Sequence, residues 1–350
     1  MQRSKFESLR PSTMLEVLDR TFRIYRDNFA TFIALVAPIA VIETIINVVN
    51  SYWLTSRMSQ AGFNPNSLRG TSGDTAALNA YISQVFGALF LTIIITLIGA
   101  FIQGVLINGP LTYIVSERNL GRSVTVRGAF NAVRGKLGKL AGGLFLYYVI
   151  IVVLTIGLAF TLFLCGLGVG ILVYIIVALH AFLAPVLILE NVSISQGMSR
   201  AWSLAKSRFW PVFGLTAAVT IISYIIAFAL STTGSLVTNG TIAPASFGVA
   251  QVVRIVLNAL VAIVLAPVLP IGYTLLYYDA RIRLEGLDIA LQNVDSAAPR
   301  PSDLVSPPPV GSTFSRDDLI NMGILVAGMF ILVLLYFFAI YSLVGSVSQF

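Results

Sequence analysis

Seven apolar runs, each long enough to cross a bilayer, decide what this chain can fold into. They are Phe29–Leu54, Tyr81–Ile107, Ala141–Leu164, Val169–Leu189, Trp210–Ser231, Phe247–Leu276 and Leu319–Val344. About 20 helical residues span the hydrocarbon. In lipid, every backbone N–H and C=O must be satisfied within the structure, and a helix does so within its own segment. The expected fold is therefore all-α, a polytopic integral membrane protein with six core helices and a seventh at the C-terminal end. Composition agrees: 57% of residues are hydrophobic and 11% charged, where a soluble domain carries about 25% charged residues.

The cations give the expected orientation. Of 22 Lys and Arg, 19 fall in residues 1–28, 108–140, 190–210 and 279–316, as 6, 6, 3 and 4. The others are Arg57, Arg69 and Arg254. The positive-inside rule puts the four basic segments in the cytoplasm. The N-terminus is then cytoplasmic, and the seventh span carries the C-terminus outside. Residues 1–28 hold ten charges and no apolar h-region, so no secretory signal is expected there. The net charge is +7. Because the cations flank apolar spans, anionic lipid headgroups are the expected partner and nucleic acid is not.

A short amphipathic pattern occurs three times. An aromatic, a cation four residues on and an apolar residue three further on appear as Phe22, Arg26, Phe29, as Phe130, Arg134, Leu137 and as Trp202, Lys206, Phe209. Each copy precedes a pair of spans. The chain thus reads as a basic interfacial helix plus a two-span hairpin, built three times over about 11–117, 123–190 and 195–279. Pro11 suits the first turn of the first such helix, with Ser12 or Thr13 as its cap. Arg26, Arg134 and Lys206 have two readings. They are topology signals, or they contact lipid headgroups while Phe22, Phe130 and Trp202 anchor the helices at the interface.

The even-numbered spans share a second feature. They end in a small residue and a proline, at Gly109-Pro110, Ala184-Pro185 and Ala266-Pro267, and then run apolar to an acid at Glu117, Glu190 and Asp279. Pro110, Pro185 and Pro267 are expected to break their helices. The breaks either line a vestibule open to the cytoplasm or end the spans and turn the chain into the interface. Gly99, Gly104 and Gly109 recur every five residues, so they mark bends or close packing rather than a GxxxG face. A polar loop is expected over 55–78.

Two charged side chains, Glu43 and Arg254, and the histidine lie inside spans. Glu43 sits about 21 Å from the cytoplasmic start of its span and Arg254 about 10 Å from the outer side, at 1.5 Å rise per residue. Charges at such depth need partners or water, so a Glu43–Arg254 ion pair is expected. His180, the sole histidine, reads as an imidazole bonded to a freed carbonyl, or as a proton relay or catalytic base. Metal ligation and nucleophilic triads need more acids and histidines than these spans hold, so no catalytic residue, metal or cofactor is expected. The CGLGVG turn at 165–170 has no strand before it and no Lys-Ser/Thr after it, which argues against a phosphate loop.

Four segments carry a family resemblance: LRPSTMLEVLDRTFRIYRDNF, LTYIVSERNLGRSVTVRGAF, APVLILENVSISQGMSRAWSLAKSRFWPVFG and LLYYDARIRLEGLDIAL. Together they resemble the prokaryotic glycerophosphoryl diester phosphodiesterase membrane-domain family, over roughly residues 9 to 292. The resemblance implies a prokaryotic cell (inner) membrane location and a six-span unit over 1–292. It brings no activity, since the hydrolase domain that gives the family its name has no room here. The chain departs from that family by a Pro-rich linker over 293–318 and a seventh helix over 319–345, which reads as a self-association helix or a handle for a protein partner. Three functions follow: a non-enzymatic protein that binds or moves a lipid or small amphiphile, a structural or partner-binding membrane subunit, or an intramembrane enzyme.

Overall fold

A computed structural model describes residues 11–60, 75–162, 167–238, 247–294, 299–305, 307 and 314–347. Those residues are almost wholly helical, with no strand among them. Seven helical stretches are long and apolar enough to cross a membrane: Phe29–Leu54, Tyr81–Asn119, Val126–Leu158, Gly168–Leu189, Phe209–Leu230, Ile255–Glu285 and Arg316–Phe338. Their outer faces carry large apolar side chains, among them Ile45, Phe86, Phe90, Ile156, Phe228 and Leu335. An exposed apolar surface of that extent suits a lipid solvent, not water.

The first helix, α1 (Met14–Asp27), starts at a capping box. Thr13 Oγ1 accepts from the Glu16 N–H at 3.3 Å, and Glu16 Oε2 accepts from the Thr13 N–H at 2.7 Å. The reciprocal bonds satisfy two donors that a helix start leaves open. Asn28 ends α1, its side-chain amide donating to the Ile24 carbonyl at 2.9 Å, and α2 (Phe29–Gln60) follows at once. The same local sequence of events recurs far along the chain. Ser193 and Gln196 form a capping box for α8 (Ile194–Ser207), Arg208 ends it, and α9 (Phe209–Thr238) follows.

The second amphipathic stretch behaves differently. It is the start of one unbroken helix, α5 (Val126–Leu162), and not a separate interfacial helix. No end-capping residue stands where Asn28 and Arg208 stand in the other two. Instead Lys136 donates to the carbonyls of Ile188 at 2.7 Å and Glu190 at 3.2 Å, and Lys139 to that of Val192 at 3.3 Å. These lysines satisfy the open carbonyls of another helix end while their own helix runs on.

Each small-residue–proline pair marks a change of helix. After α3 (Thr75–Gln103) a π-helical turn, Gly104–Asn108, leads into α4 (Gly109–Asn119), with Pro110 in its first turn. Helix α6 (Leu167–His180) stops two residues before α7 (Leu183–Leu189), which contains Pro185. Helix α10 (Phe247–Leu265) stops before Pro267, and α11 (Val268–Glu285) begins after it. A proline in or just before a first turn leaves no hydrogen bond unmade, because that N–H has no helical partner anyway. Helix α12 (Leu287–Gln292) and the long α13 (Arg316–Val347) complete the chain.

Of the expected loop over 55–78, residues 55–60 and 75–78 are helical, since α2 continues to Gln60 and α3 begins at Thr75. Residues 61–74, 163–166 and 239–246 lie outside the described residues; of the expected glycine-rich turn at 165–170, residues 167–170 are helical, the start of α6.

The chain forms two compact units. Met1–Phe29, Asn108–Val219 and Val268–Phe350 make the first; Ala30–Ile107 and Thr220–Pro267 make the second. In the first unit the three helices after the breaks form the core. Helix α4 packs on α7 and α11, and α11 also meets α7. All of α7 and most of α4 and α11 are buried. Around them, α5 packs on α4, α8 on α7 and α1 on α11. The seventh span, α13, lies along α6. A Cβ added at Gly170 would sit 2.5 Å from the Val326 backbone nitrogen, so glycine sets how closely these two helices approach.

Candidate functional site

Two polar arrangements stand out, one in each unit. In the first unit the acids after the proline breaks are buried, and each is held by arginine. Glu117 lies in the last turn of α4. Gly121, at φ 75°, turns the chain back so that the Arg122 N–H reaches the Glu117 carbonyl at 2.8 Å. That is a Schellman turn, and it needs a left-handed residue. It brings the Arg122 guanidinium onto the Glu117 carboxylate, Nε to Oε2 at 2.6 Å and Nη2 to Oε1 at 3.0 Å. Arg300 adds a third donor to Oε1 at 2.9 Å.

Glu190 caps the C-terminus of α7 and has no exposed side-chain surface. Arg200 grips it with two donors, Nε on Oε2 and Nη2 on Oε1. The Tyr277 hydroxyl donates to Oε1 at 2.7 Å, and Arg281 Nη1 lies 3.5 Å from the same oxygen. Glu285 completes the cluster, 2.9 Å from Arg200 Nη2 and 2.7 Å from Arg281 Nε. Two carboxylates and two guanidinium groups balance, which is what a buried ionic cluster requires. Burial disfavours the Arg200 cation, yet hydrogen bonds with Glu190 and Glu285 outweigh it and hold its pKa above the ordinary arginine value.

Asp279 of α11 takes Arg283 Nε at 3.0 Å, Arg208 Nη2 at 2.8 Å and the Ser12 N–H at 2.8 Å. Arg283 also donates to the Ser12 carbonyl at 2.9 Å. The chain entering α1 is thereby tied to α11. A fourth acid, Asp318, starts α13 and accepts from the Tyr174 hydroxyl at 2.5 Å and Lys206 Nζ at 2.9 Å.

The proline-rich linker runs across these clusters. Arg122 donates to the Pro299 carbonyl at 3.4 Å, Asn191 to that of Ser302 at 3.0 Å and Arg200 to that of Pro307 at 2.6 Å. Each of the four acids is thus paired with at least one cation. Chemically this is a set of clamps.

The second unit holds a cavity of about 300 Å³. Glu43, Thr44 and Asn47 of α2 line it, with Gln103 at the end of α3 and Asn258 of α10. The i, i+1, i+4 spacing puts the three α2 residues on one helix face. Asn258, Ala259 and Ala262 repeat that spacing on α10, and the alanines leave the space open. Thr44 Oγ1 spends its proton on the Ala40 carbonyl at 2.6 Å, so it is left as an acceptor. A Cβ added at Gly99, one turn before Gln103, would lie 4.0 Å from Glu43 Oε1, so α3 passes close to the carboxylate.

The residues singled out in the sequence are distributed as follows. Glu43 lies in the cavity. The side chain of Arg254 lies outside the described residues, and the Glu43–Arg254 pair with it. The His180 ring is flanked by Tyr147 and Tyr273, at 5.3 and 6.2 Å between centroids. Arg26 is exposed and 3.7 Å from Asp27, and Arg134 is exposed. Lys206 instead reaches Asp318 and stands 5.7 Å over the Trp202 ring. The three repeated cations therefore do not share one environment. Phe22 is half exposed, Phe130 half buried, and Trp202 packs edge-on against Tyr174 and Phe314. Pro110, Pro185 and Pro267 stand at the three changes of helix already described.

Sequence reasoning found the acids but missed their partners. The signal was present: an acid at the end of an apolar span needs a cation, and Arg122, Arg200 and Arg283 follow within ten residues. Comparison of the chain with protein-family models, with curated proteins and with solved structures finds no match.

Proposed function

We propose that this protein binds a lipid or small amphiphile within the membrane, in the cavity of the second unit. The single observation that carries the reading is five polar side chains around open space on helices of membrane length. Polar groups in hydrocarbon are costly unless something satisfies them. The volume of about 300 Å³ falls at the lower end of small-ligand sites. Within the first unit, Glu117, Glu190 and Asp279 are held by their arginine clamps.

The same reading takes the chain as three repeats. Each acid after a proline break is tied to the start of the following repeat: Glu117 to Arg122, Glu190 to Arg200, and Asp279 back to Ser12. The basic segments face the cytoplasm of a prokaryotic cell, and Arg26 and Arg134, with Phe22 and Phe130, meet anionic headgroups there. The resemblance of the four quoted segments to the glycerophosphoryl diester phosphodiesterase membrane-domain family supports the location and the six-span unit.

The test is the set of lipids that stays with gently purified protein, compared between wild type and Ala259→Phe, which fills the cavity. One amphiphile class enriched over the bulk membrane and lost in the variant is expected. Lipids that match the bulk membrane in both would remove the reading.

A further inference from the structure

We propose that the cavity recognises a primary ammonium group, carried by an aminophospholipid headgroup or by a small water-borne amine. This rests on the reading of the cavity as a ligand site. Among its described lining residues one carries charge, and that charge is the Glu43 carboxylate. The other polar lining residues can supply acceptors: Thr44 Oγ1, already oriented as one by its bond to Ala40, and the side-chain amides of Asn47, Gln103 and Asn258, each with a carbonyl oxygen beside its NH2.

A primary ammonium has three N–H donors and no acceptor. Glu43 would take one in a charge-assisted bond, and the hydroxyl and amide oxygens would take the others. An anion would meet the carboxylate and lose. A quaternary ammonium has no N–H to give, and would leave these oxygens unmet in hydrocarbon, where each unmet polar group is costly. The alanine face of α10 leaves room beside Glu43 for the carbon chain that carries the amine.

The experiment uses the full chain in nanodiscs of equal phosphatidylethanolamine and phosphatidylglycerol, with the retained lipid read by native mass spectrometry. Free ethanolamine binding is read separately by saturation-transfer NMR. Wild type should retain phosphatidylethanolamine well above its share. Glu43→Gln should lower that retention about tenfold or more, the loss of one charge-assisted hydrogen bond. Arg254→Gln should leave it unchanged. Selective ethanolamine binding without lipid retention would assign the water-borne source and still support the ammonium.

Retention of phosphatidylglycerol, or equal retention in wild type and Glu43→Gln, overturns the inference. So does a loss in Arg254→Gln that matches Glu43→Gln, because the carboxylate would then be serving the guanidinium. Ala259→Phe separates the two levels of argument. If it strips a retained lipid that Glu43→Gln does not, the ammonium fails and the cavity reading stands. If wild type and Ala259→Phe both carry the nanodisc mixture and neither binds ethanolamine, both fail.

Discussion

Glu190 shows how much a single buried residue can carry. Its carboxylate is out of contact with solvent and takes donors from Arg200, Tyr277 and Arg281. Removing one partner of such a pair strands the other, at a cost of about 3–5 kcal/mol. Arg200→Gln is therefore expected to lower the unfolding temperature of the purified protein sharply. Arg300→Gln is the control. Its side chain is 44% exposed and is one of two arginines on Glu117, so water and Arg122 can take its place. It should cost about 0–1 kcal/mol. Equal shifts in the two variants would contradict the clamp. The need for a cation near each acid was legible in the sequence; which cations meet it was not. Arg200 and Arg208 had been counted as topology signals, and a count of cations cannot say which of them turn inward. Arg281, wholly buried beside Tyr277, has the same local sequence context as an exposed interfacial arginine.

At the scale of elements, the spans were legible because lipid makes a simple demand: some 20 apolar residues in helix. The proline positions were legible for the same reason, since a missing N–H is tolerated at a helix start. Three things were not. The unbroken α5 depends on lysines that serve another helix's carbonyls. The π turn before α4 has no composition of its own. The docking of α13 on α6 joins residues about 150 apart in sequence, at Gly170–Val326 and Tyr174–Asp318. That contact gives a prediction. Gly170→Val places carbon where the Val326 backbone stands, and overpacking of this kind costs about 1–3 kcal/mol. Helix α13 should detach, seen as faster proteolysis of the 299–315 linker. Unchanged proteolysis would mean that the two helices do not pack through Gly170.

For the whole molecule, orientation is the first expectation to check. Cys165 is the sole cysteine and falls between the third and fourth spans. The proposed orientation, with the basic segments inside, puts the sequence between those two spans on the outer side of the membrane. A membrane-impermeant maleimide should label intact cells at Cys165 and fail with Cys165→Ser; labelling only after lysis would reverse the topology. The central claim concerns the cavity, and one measurement reaches it directly: native mass spectrometry of the full chain released from its own membrane, wild type against Ala259→Phe. The account predicts a discrete bound mass in the wild type that disappears in the variant while the unfolding temperature stays close to that of wild type. A variant that keeps the same bound mass, or a wild type with none above the bulk lipid, would contradict it.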